Sequence, residues 1–162
     1  MIETAYTSES KFEIQPMREI HLSEVMILLR ACHLSSWTKA DFEGEISNPN
    51  ALIFVAPGEK KILGFISARL IMPLVEILNI GVLPDLRRQG IGNALLQKVI
   101  QTTCKKGFTE SWLEVRESNL EARNYYLGQN YTVVGRRRNY YLNPVEDALL
   151  MTLVFSDNNP KK

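Results

Sequence analysis

The chain has 162 residues, of which 45% are hydrophobic, and a formal net charge of +1. This length and composition predict a single globular domain built around one core. The nearly neutral charge excludes a general electrostatic attraction to nucleic acid or to anionic membranes, so local features must identify the partner.

The N-terminus does not resemble a secretory signal, because it carries Glu3 and Glu9 and lacks a basic start followed by a long apolar run. The apolar stretches are also shorter than the ~20 residues that cross a bilayer. We therefore expect a cytoplasmic protein that does not bind a membrane. Cys32 and Cys104 are isolated, and the chain has only two histidines, so we expect structural thiols and no metal site.

The first half of the chain alternates between strand and helix patterns. Apolar residues at helical spacing predict a helix over 21–32, and Thr38 with Asp41 predicts the start of a second helix that ends at Ile46. The strand patterns cover 12–17, 51–56, 62–71 and 74–83. The connections between the last three strands are short, so these strands should be antiparallel neighbours.

After Pro84 an apolar stripe predicts a helix that ends at Gly107. A strand over 111–115, a helix over 119–129 and strands over 131–135 and 148–154 complete the chain. This order predicts an α/β fold with a mixed, mostly antiparallel sheet flanked by about four helices. We expect one domain over 11–155, with flexible tails at 1–10 and 156–162.

The segment 81–92 lies between a predicted strand and a predicted helix, where free backbone N–H groups and the helix dipole favour an anion. Arg87 and Arg88 add cationic donors. The segment matches neither common nucleotide motif, because Leu95 occupies the third glycine position of GxGxxG and no Lys-Ser or Lys-Thr follows Gly92. By itself, the segment is equally compatible with a solvated turn.

The pattern Arg87-x-x-Gly90-x-Gly92 at the start of a helix resembles the pyrophosphate-binding motif of the GNAT acetyltransferases. The order of elements from about 12 to 154 is also similar to that fold. The resemblance implies acetyl-CoA as co-substrate, with the strand before the motif bonded to the pantetheine arm and a backbone oxyanion donor near Val82. The implied cofactor-binding residues are Ile80, Gly81, Val82, Arg87, Arg88, Gln89, Gly90, Ile91, Gly92, Asn93 and Asn119.

The second half resembles the RimI-type branch of the family. The residues that carry this resemblance are Trp112–Asn119, Tyr126, Arg138–Tyr141 and Glu146–Met151, together with Trp37. The resemblance implies acetylation of the N-terminal alanine of a small-subunit ribosomal protein. It assigns Glu114 as general base and Tyr126 as the acid toward the coenzyme A sulfur, and it places Trp37, Tyr140 and Tyr141 at the acceptor.

Each of these residues also has a purely structural interpretation. Glu114 can be an exposed carboxylate at a strand end, Tyr126 can pack in the core beside Tyr125, and Asn119 can cap a helix. Three consecutive arginines at 136–138 are typical of a solvated strand face, and we expect no nucleic acid partner, although an acidic peptide surface is compatible with them.

Two other functions stay open from the sequence. The same catalytic pair can serve a lysine side chain or a small-molecule amine, and the fold can also bind an acyl-coenzyme A as a sensor without turnover.

The chain departs from relatives at Asn93, where a basic residue is common, and at Trp37, which lacks a preceding proline. It also has Asn130-Tyr131 where Gly-Phe is usual, and asparagine suits the left-handed end of a helix.

Overall fold

The computed structural model describes residues 11–34 and 36–155, so both predicted tails lie outside the described residues. The helices are α1 (Leu22–Ala31), α2 (Lys39–Ile46), α3 (Ile91–Cys104) and α4 (Leu120–Gly128). The strands are β1 (Gln15–Pro16), β2 (Ala51–Pro57), β3 (Ile62–Ile71), β4 (Leu74–Val82), β5 (Glu110–Arg116), β6 (Thr132–Leu142) and β7 (Val145–Val154). These elements follow the predicted order.

The strands form one sheet in the order β1-β2-β3-β4-β5-β7-β6. β4 and β5 are parallel neighbours because α3 connects them as a crossover, whereas β7 is antiparallel to both β5 and β6. The mixed, mostly antiparallel sheet with four helices confirms the predicted fold class.

Three strands differ from their predicted lengths, and one of them, β7, begins at Val145 rather than at residue 148. β1 has only two residues, Gln15 and Pro16, which pair with Val55 and Phe54 of β2, and the N–H of Met17 then donates to the carbonyl of Ile53 at 2.8 Å. β6 extends to Leu142 rather than ending near residue 135, because β7 supplies pairing partners as far as Val145. The backbone hydrogen bonds to β7 stabilise this edge strand, so it does not need alternating apolar residues. Because that alternation is absent after residue 135, the sequence predicted only a short strand.

The predicted helix ends are confirmed. The hydroxyl of Thr38 accepts from the N–H of Asp41, and the carboxylate of Asp41 accepts from the N–H of Thr38, which is a capping box at α2. Gly107 follows α3 at φ +87°. Asn130 follows α4 at φ +66°, as expected for an asparagine in the left-handed position.

Residue contacts divide the chain into two compact units. The first unit contains the described residues up to Ser47, with Ile53–Ile66 and Ile80–Lys98. Its core joins α1 and α2 to β2 and β3 through Val25, Phe42, Val55 and Phe65, which are fully buried. That this unit and the next form one domain over 11–155 stays a prediction.

The second unit contains Asn48–Leu52, Ser67–Asn79 and the chain from Val99 onward. Alternate residues of β5 (Ser111, Leu113 and Val115) are buried, whereas Glu114 and its neighbours on the other face of the strand are only partly so. Met151 of β7 and Tyr131 belong to the same core. This strand therefore divides the second unit into an apolar face and a polar face.

Candidate active site

The loop before α3 has the geometry of an anion-binding turn. Arg88 and Gly90 have positive φ values of +60° and +92°, and the loop from Arg87 to Gly90 is exposed. The N–H of Ala94 bonds the carbonyl of Gly90 as the helix begins. The N–H groups before Ala94 therefore have no helical carbonyl to bind and can face a phosphate, which the helix dipole favours. These residues fit the pyrophosphate of coenzyme A.

The two arginines of this loop have different surroundings. The Nε of Arg87 donates to the carbonyl of Val82 at 3.4 Å, and the same carbonyl accepts from the Cys32 thiol at 3.2 Å. Burial raises the pKa of Cys32 while Arg87 lowers it, so the thiol stays protonated and can donate. Arg87 thus fastens the loop to the end of β4, whereas Arg88 is an exposed cation in the turn itself.

Gly81 is required by packing at the end of β4. A Cβ at this position would lie 2.9 Å from Phe65 Cε1 and 3.1 Å from Leu28 Cδ2. Gly64 on β3 is similarly confined, because its Cβ would lie 3.0 Å from the carbonyl oxygen of Gly81. These glycines bring the backbones of β3 and β4 close together, a reason for Gly81 that sequence reasoning did not supply.

Glu114 lies within β5, opposite Leu150 of β7, and its side chain is only 11% exposed. Its Oε1 is 3.1 Å from Nε of Arg137 on β6, and its carboxylate also accepts a hydrogen bond from the hydroxyl of Tyr140. This bond is the largest cause of the raised pKa of Tyr140. Glu114 is therefore not an exposed carboxylate at a strand end, because Arg137 and Tyr140 of β6 contact and orient it.

Tyr140 and Tyr141 continue the polar face. The guanidinium of Arg116 lies 4.1 Å from the ring centre of Tyr141, and that of Arg137 lies 5.6 Å from the ring centre of Tyr140. The two rings meet edge to face at 5.1 Å. Tyr140 is 47% exposed, so it is the more accessible of the two.

Glu76 is a second carboxylate on this face, and sequence reasoning missed it. It is the register partner of Trp112, and side chains two apart on a strand share a face, so Glu114 lies on the same face. Burial raises the pKa of Glu76, and the charge of Glu114 raises it further, while Arg69 and Arg137 lower it. A glutamate in a strand shows no periodicity that distinguishes it from a surface residue.

Tyr126 belongs to the opposite, apolar face. Its ring packs edge to face against Tyr125 at 5.1 Å and against Tyr131 at 5.4 Å. The hydroxyl of Tyr131 is in turn 2.7 Å from the hydroxyl of Ser111, which is three residues before Glu114 on β5. Burial raises the pKa of Tyr126, so its hydroxyl remains protonated at physiological pH.

Asn119 is the N-cap of α4, where its Oδ1 accepts from the N–H of Ala122 at 3.1 Å. The cap uses only the oxygen, so the amide nitrogen can donate to a ligand while the cap is retained. The turn before it is held by Glu146 of β7, which accepts from the N–H of Ser118 and pairs with Arg116 at 3.3 Å. β7 therefore supports the connection from the strand of Glu114 to the helix of Tyr126.

The arginines at 136 and 137 are paired rather than simply solvated. Arg136 contacts Glu117 at 2.6 Å and Asp147 at 3.1 Å, and Arg137 contacts Glu114 at 3.1 Å.

Trp37 belongs to the first unit, where it packs on Phe42 at 4.9 Å beside the core. Tyr140 and Tyr141 belong to the second unit.

Comparison with known proteins identifies the family. The model of the acetyltransferase (GNAT) family matches residues 22–129. The chain belongs to the GNAT acetyltransferase family. This GNAT protein is an acetyl-CoA-dependent N-acetyltransferase, as the resemblance implied.

The GNAT enzyme is 33% identical to the ribosomal protein bS18-alanine N-acetyltransferase of Escherichia coli strain K12 over 126 residues, which are 76% of this chain and 84% of the relative. The crystal structure of the ribosomal-protein-S18-alanine N-acetyltransferase from Escherichia coli superposes with a TM-score of 0.80 and 29% identity, covering 93% of this chain and 97% of the other. The PaiA N-acetyltransferase from Thermoplasma acidophilum, solved in complex with coenzyme A, shares the fold with a TM-score of 0.75, 19% identity and coverage of 89% and 99%.

Within residues 11–34 and 36–155, no group of three or more His, Cys, Asp or Glu side chains is arranged to hold a metal ion. None of the helices in this described part is long and apolar enough to cross a membrane.

Proposed function

We propose that this enzyme transfers the acetyl group of acetyl-CoA to the N-terminal α-amine of a protein, and that the acceptor is the N-terminal alanine of a small-subunit ribosomal protein. The observation that carries this proposal is the 33% identity to an Escherichia coli enzyme named for the alanine of ribosomal protein bS18. The enclosed Glu114 beside the exposed Tyr140 gives that acceptor a suitable chemical environment. Because such an acceptor is made on ribosomes, we propose that the enzyme acts in the cytoplasm.

On the donor side, the backbone N–H groups at the start of α3 bind the pyrophosphate. The residues proposed for this role are those of the turn and the first helical residues, namely Arg87, Arg88, Gln89, Gly90, Ile91, Gly92 and Asn93. Ile80, Gly81 and Val82 offer backbone groups to the pantetheine arm and to the oxyanion, and Asn119 offers its amide nitrogen. The exposed position of Arg88 and the fastened position of Arg87 support a direct contact for Arg88 and a loop-holding role for Arg87.

On the acceptor side, Glu114 acts as general base, directly or through a water molecule. The amine nitrogen attacks the thioester carbonyl, a C–N bond forms, and the C–S bond then breaks as the nitrogen loses its proton to Glu114. Arg137 and Tyr140 orient the carboxylate for this step. Trp37, Tyr140 and Tyr141 contribute to binding the acceptor peptide.

Tyr126 stabilises the leaving thiolate with its hydroxyl. Its raised pKa means that full proton transfer to a thiolate, whose thiol has a pKa of about 8.5, is unfavourable on its own. A hydrogen bond to the sulfur as negative charge develops does not require that transfer. Tyr126 therefore acts as a hydrogen-bond donor, and the thiolate finally takes a proton that the amine nitrogen has released.

An α-amine is a better match to this site than a lysine side chain. With a pKa of about 8, roughly a tenth of an α-amine is neutral at pH 7, whereas a lysine with a pKa of about 10.4 is less than about 0.1% neutral. Only the neutral amine can attack the thioester. The free energy needed to deprotonate the ammonium form is therefore much smaller for an α-amine than for a lysine side chain.

The proposal is tested with two peptides of otherwise identical sequence. The first begins with a free alanine, and the second has a blocked N-terminus and one lysine. We expect acetylation of the first at least 100-fold faster at pH 7, which corresponds to the ratio of the neutral fractions. Faster reaction of the lysine peptide, or of a polyamine, would reject the α-amine acceptor. Mass spectrometry of protein N-termini in cells lacking the gene then identifies the ribosomal protein by its loss of acetylation.

A further inference from the structure

The edge strand β6 contains a bulge, which interrupts its pairing with β7. The register between the two strands shifts between Arg137 and Tyr141. Three β6 residues, 138–140, lie there opposite the single β7 residue Asp147. Asn139, in the middle of this β6 bulge, has a φ of +52°, which lies in the left-handed region. A bulge of this kind can change the face of the sheet to which the next side chain points.

The β6 bulge brings two consecutive tyrosines to the same face of the sheet. In a regular strand Tyr140 and Tyr141 would point to opposite faces. The hydroxyl of Tyr140 instead donates to Glu114, and the ring of Tyr141 lies 4.1 Å from the guanidinium of Arg116. Glu114 and Arg116 are two residues apart on β5 and therefore share a face. Both tyrosines can reach that face because the backbone before them is irregular.

The side chain of Asp147 holds this bulge from the opposite face. Its Oδ1 accepts from the backbone N–H of Asn139 at 2.9 Å, and its Oδ2 accepts from Arg136 at 3.1 Å. Arg136 alternates with Arg137, whose guanidinium meets Glu114, so Arg136 points away from that carboxylate. The carboxylate of Asp147 therefore acts on the backbone of the bulge and lies across the sheet from the acceptor side.

We propose that Asp147 is a positioning residue, whose carboxylate holds the β6 bulge so that the hydroxyl of Tyr140 meets Glu114. Without the bond to Asp147, the backbone at Asn139 can leave the left-handed region. Tyr140 would then turn away from Glu114, as the alternation of a regular strand requires. This inference rests on the proposed roles of Glu114 and Tyr140 in the reaction.

The first test is the steady-state kinetics of Asp147→Ala with the alanine peptide. We expect kcat/KM to fall roughly 10- to 100-fold, because a small displacement around a reacting group can cost this much. The matched control is Glu117→Gln, which removes the other carboxylate that pairs with Arg136 and keeps the bond to Asn139. This control should leave kcat/KM unchanged, and an equal loss in both variants would overturn the proposal.

A double-mutant cycle tests whether Asp147 acts through Tyr140. Tyr140→Phe removes the hydroxyl that bonds Glu114. If the bulge serves to place this hydroxyl, the double variant should lose about as much kcat/KM as the more affected single variant. A loss equal to the product of the two single losses would show that Asp147 acts independently of Tyr140 and would overturn the proposal.

The pKa of Tyr140 gives a measurement that does not depend on any acceptor. The bond to Glu114 raises this pKa in the wild-type enzyme. In Asp147→Ala it should fall toward the ordinary value of about 10, as measured by NMR titration of ring-labelled tyrosine and assigned with Tyr140→Phe. An unchanged pKa would reject the role of Asp147. If the wild-type enzyme does not acetylate the alanine peptide, the α-amine acceptor is wrong, and this titration still tests Asp147.

Substitutions at Asn139 test the same bulge if Asp147→Ala does not fold. Valine is disfavoured at a φ of +52°, whereas glycine adopts it readily. Asn139→Val should therefore lower both kcat/KM and the pKa of Tyr140, and Asn139→Gly should retain most of both. Full activity and an unchanged Tyr140 pKa in Asn139→Val would overturn the proposal.

Discussion

Two neighbouring tyrosines allow the catalytic and structural roles of the aromatic cluster to be separated. Tyr126→Phe and Tyr131→Phe each remove one hydroxyl from rings that pack against each other at 5.4 Å. The hydroxyl of Tyr131 is bonded to the fully buried Ser111, whereas we propose that the hydroxyl of Tyr126 faces the leaving sulfur. We expect the first substitution to lower turnover and the second to lower stability.

The expected losses of stability and of turnover follow from the group that each hydroxyl contacts. Tyr131→Phe leaves the hydroxyl of Ser111 buried without its partner, which should cost about 1–3 kcal/mol of unfolding free energy. In a chain of this size each kcal/mol lowers the thermal midpoint by roughly 2–4 °C. Tyr126→Phe removes one donor from a developing negative charge, for which losses of about 10²–10³ in kcat are usual.

Thermal unfolding and steady-state kinetics on both variants provide the assay. The double variant Ser111→Ala with Tyr131→Phe removes both partners of the buried bond, so it should recover part of the stability that the single changes lose. If Tyr131→Phe reduced kcat as strongly as Tyr126→Phe while leaving the thermal midpoint unchanged, the roles assigned to the two rings would be wrong. Full turnover in Tyr126→Phe would equally refute the argument.

Three further outcomes are expected. Gly81→Ala should lower the unfolding free energy by about 1–3 kcal/mol, measured by chemical denaturation, because its Cβ would lie 2.9 Å from Phe65; unchanged stability would show that this packing relaxes freely. Arg88→Ala and Arg88→Gly both remove a cation and should weaken acetyl-CoA binding equally by calorimetry, but the glycine variant should be the more stable, by about 1 kcal/mol, because φ is +60°. Hydrogen bonds from Asn139 and Arg136 lower the pKa of Asp147, so its contribution to stability is present at neutral pH and is lost as pH falls through that lowered pKa. Asp147→Asn should therefore flatten the acid side of the stability profile, and an unchanged profile would contradict this.

Helices and their ends could be predicted because their determinants are local. The capping box of Thr38 and Asp41, the cap by Asn119 and the left-handed Asn130 all depend on residues within one turn of each other. The loop before α3 was identifiable for the same reason, since its glycines and the helix start are adjacent in sequence. The family was indicated by a resemblance, that of Arg87-x-x-Gly90-x-Gly92 to the pyrophosphate-binding motif, before any tertiary contact was known.

The surroundings of the proposed catalytic residues could not be predicted in this way. Glu114 is enclosed by Arg137 and Tyr140, which are more than twenty residues away in sequence and reach it through the register of β7 with β5 and β6. A shift of that register by one residue would turn these side chains to the other face of the sheet. No local pattern in the sequence encodes such a register.

The sequence alone therefore determined the order of elements, the helix ends and the donor loop, because hydrogen bonds within a few residues decide them. Only the tertiary structure decided that Glu114 shares its face with Glu76, and that Tyr126 packs on the opposite one. Pairing between strands distant in sequence sets these positions, and burial together with the neighbouring charge of Glu114 raises the pKa of Glu76.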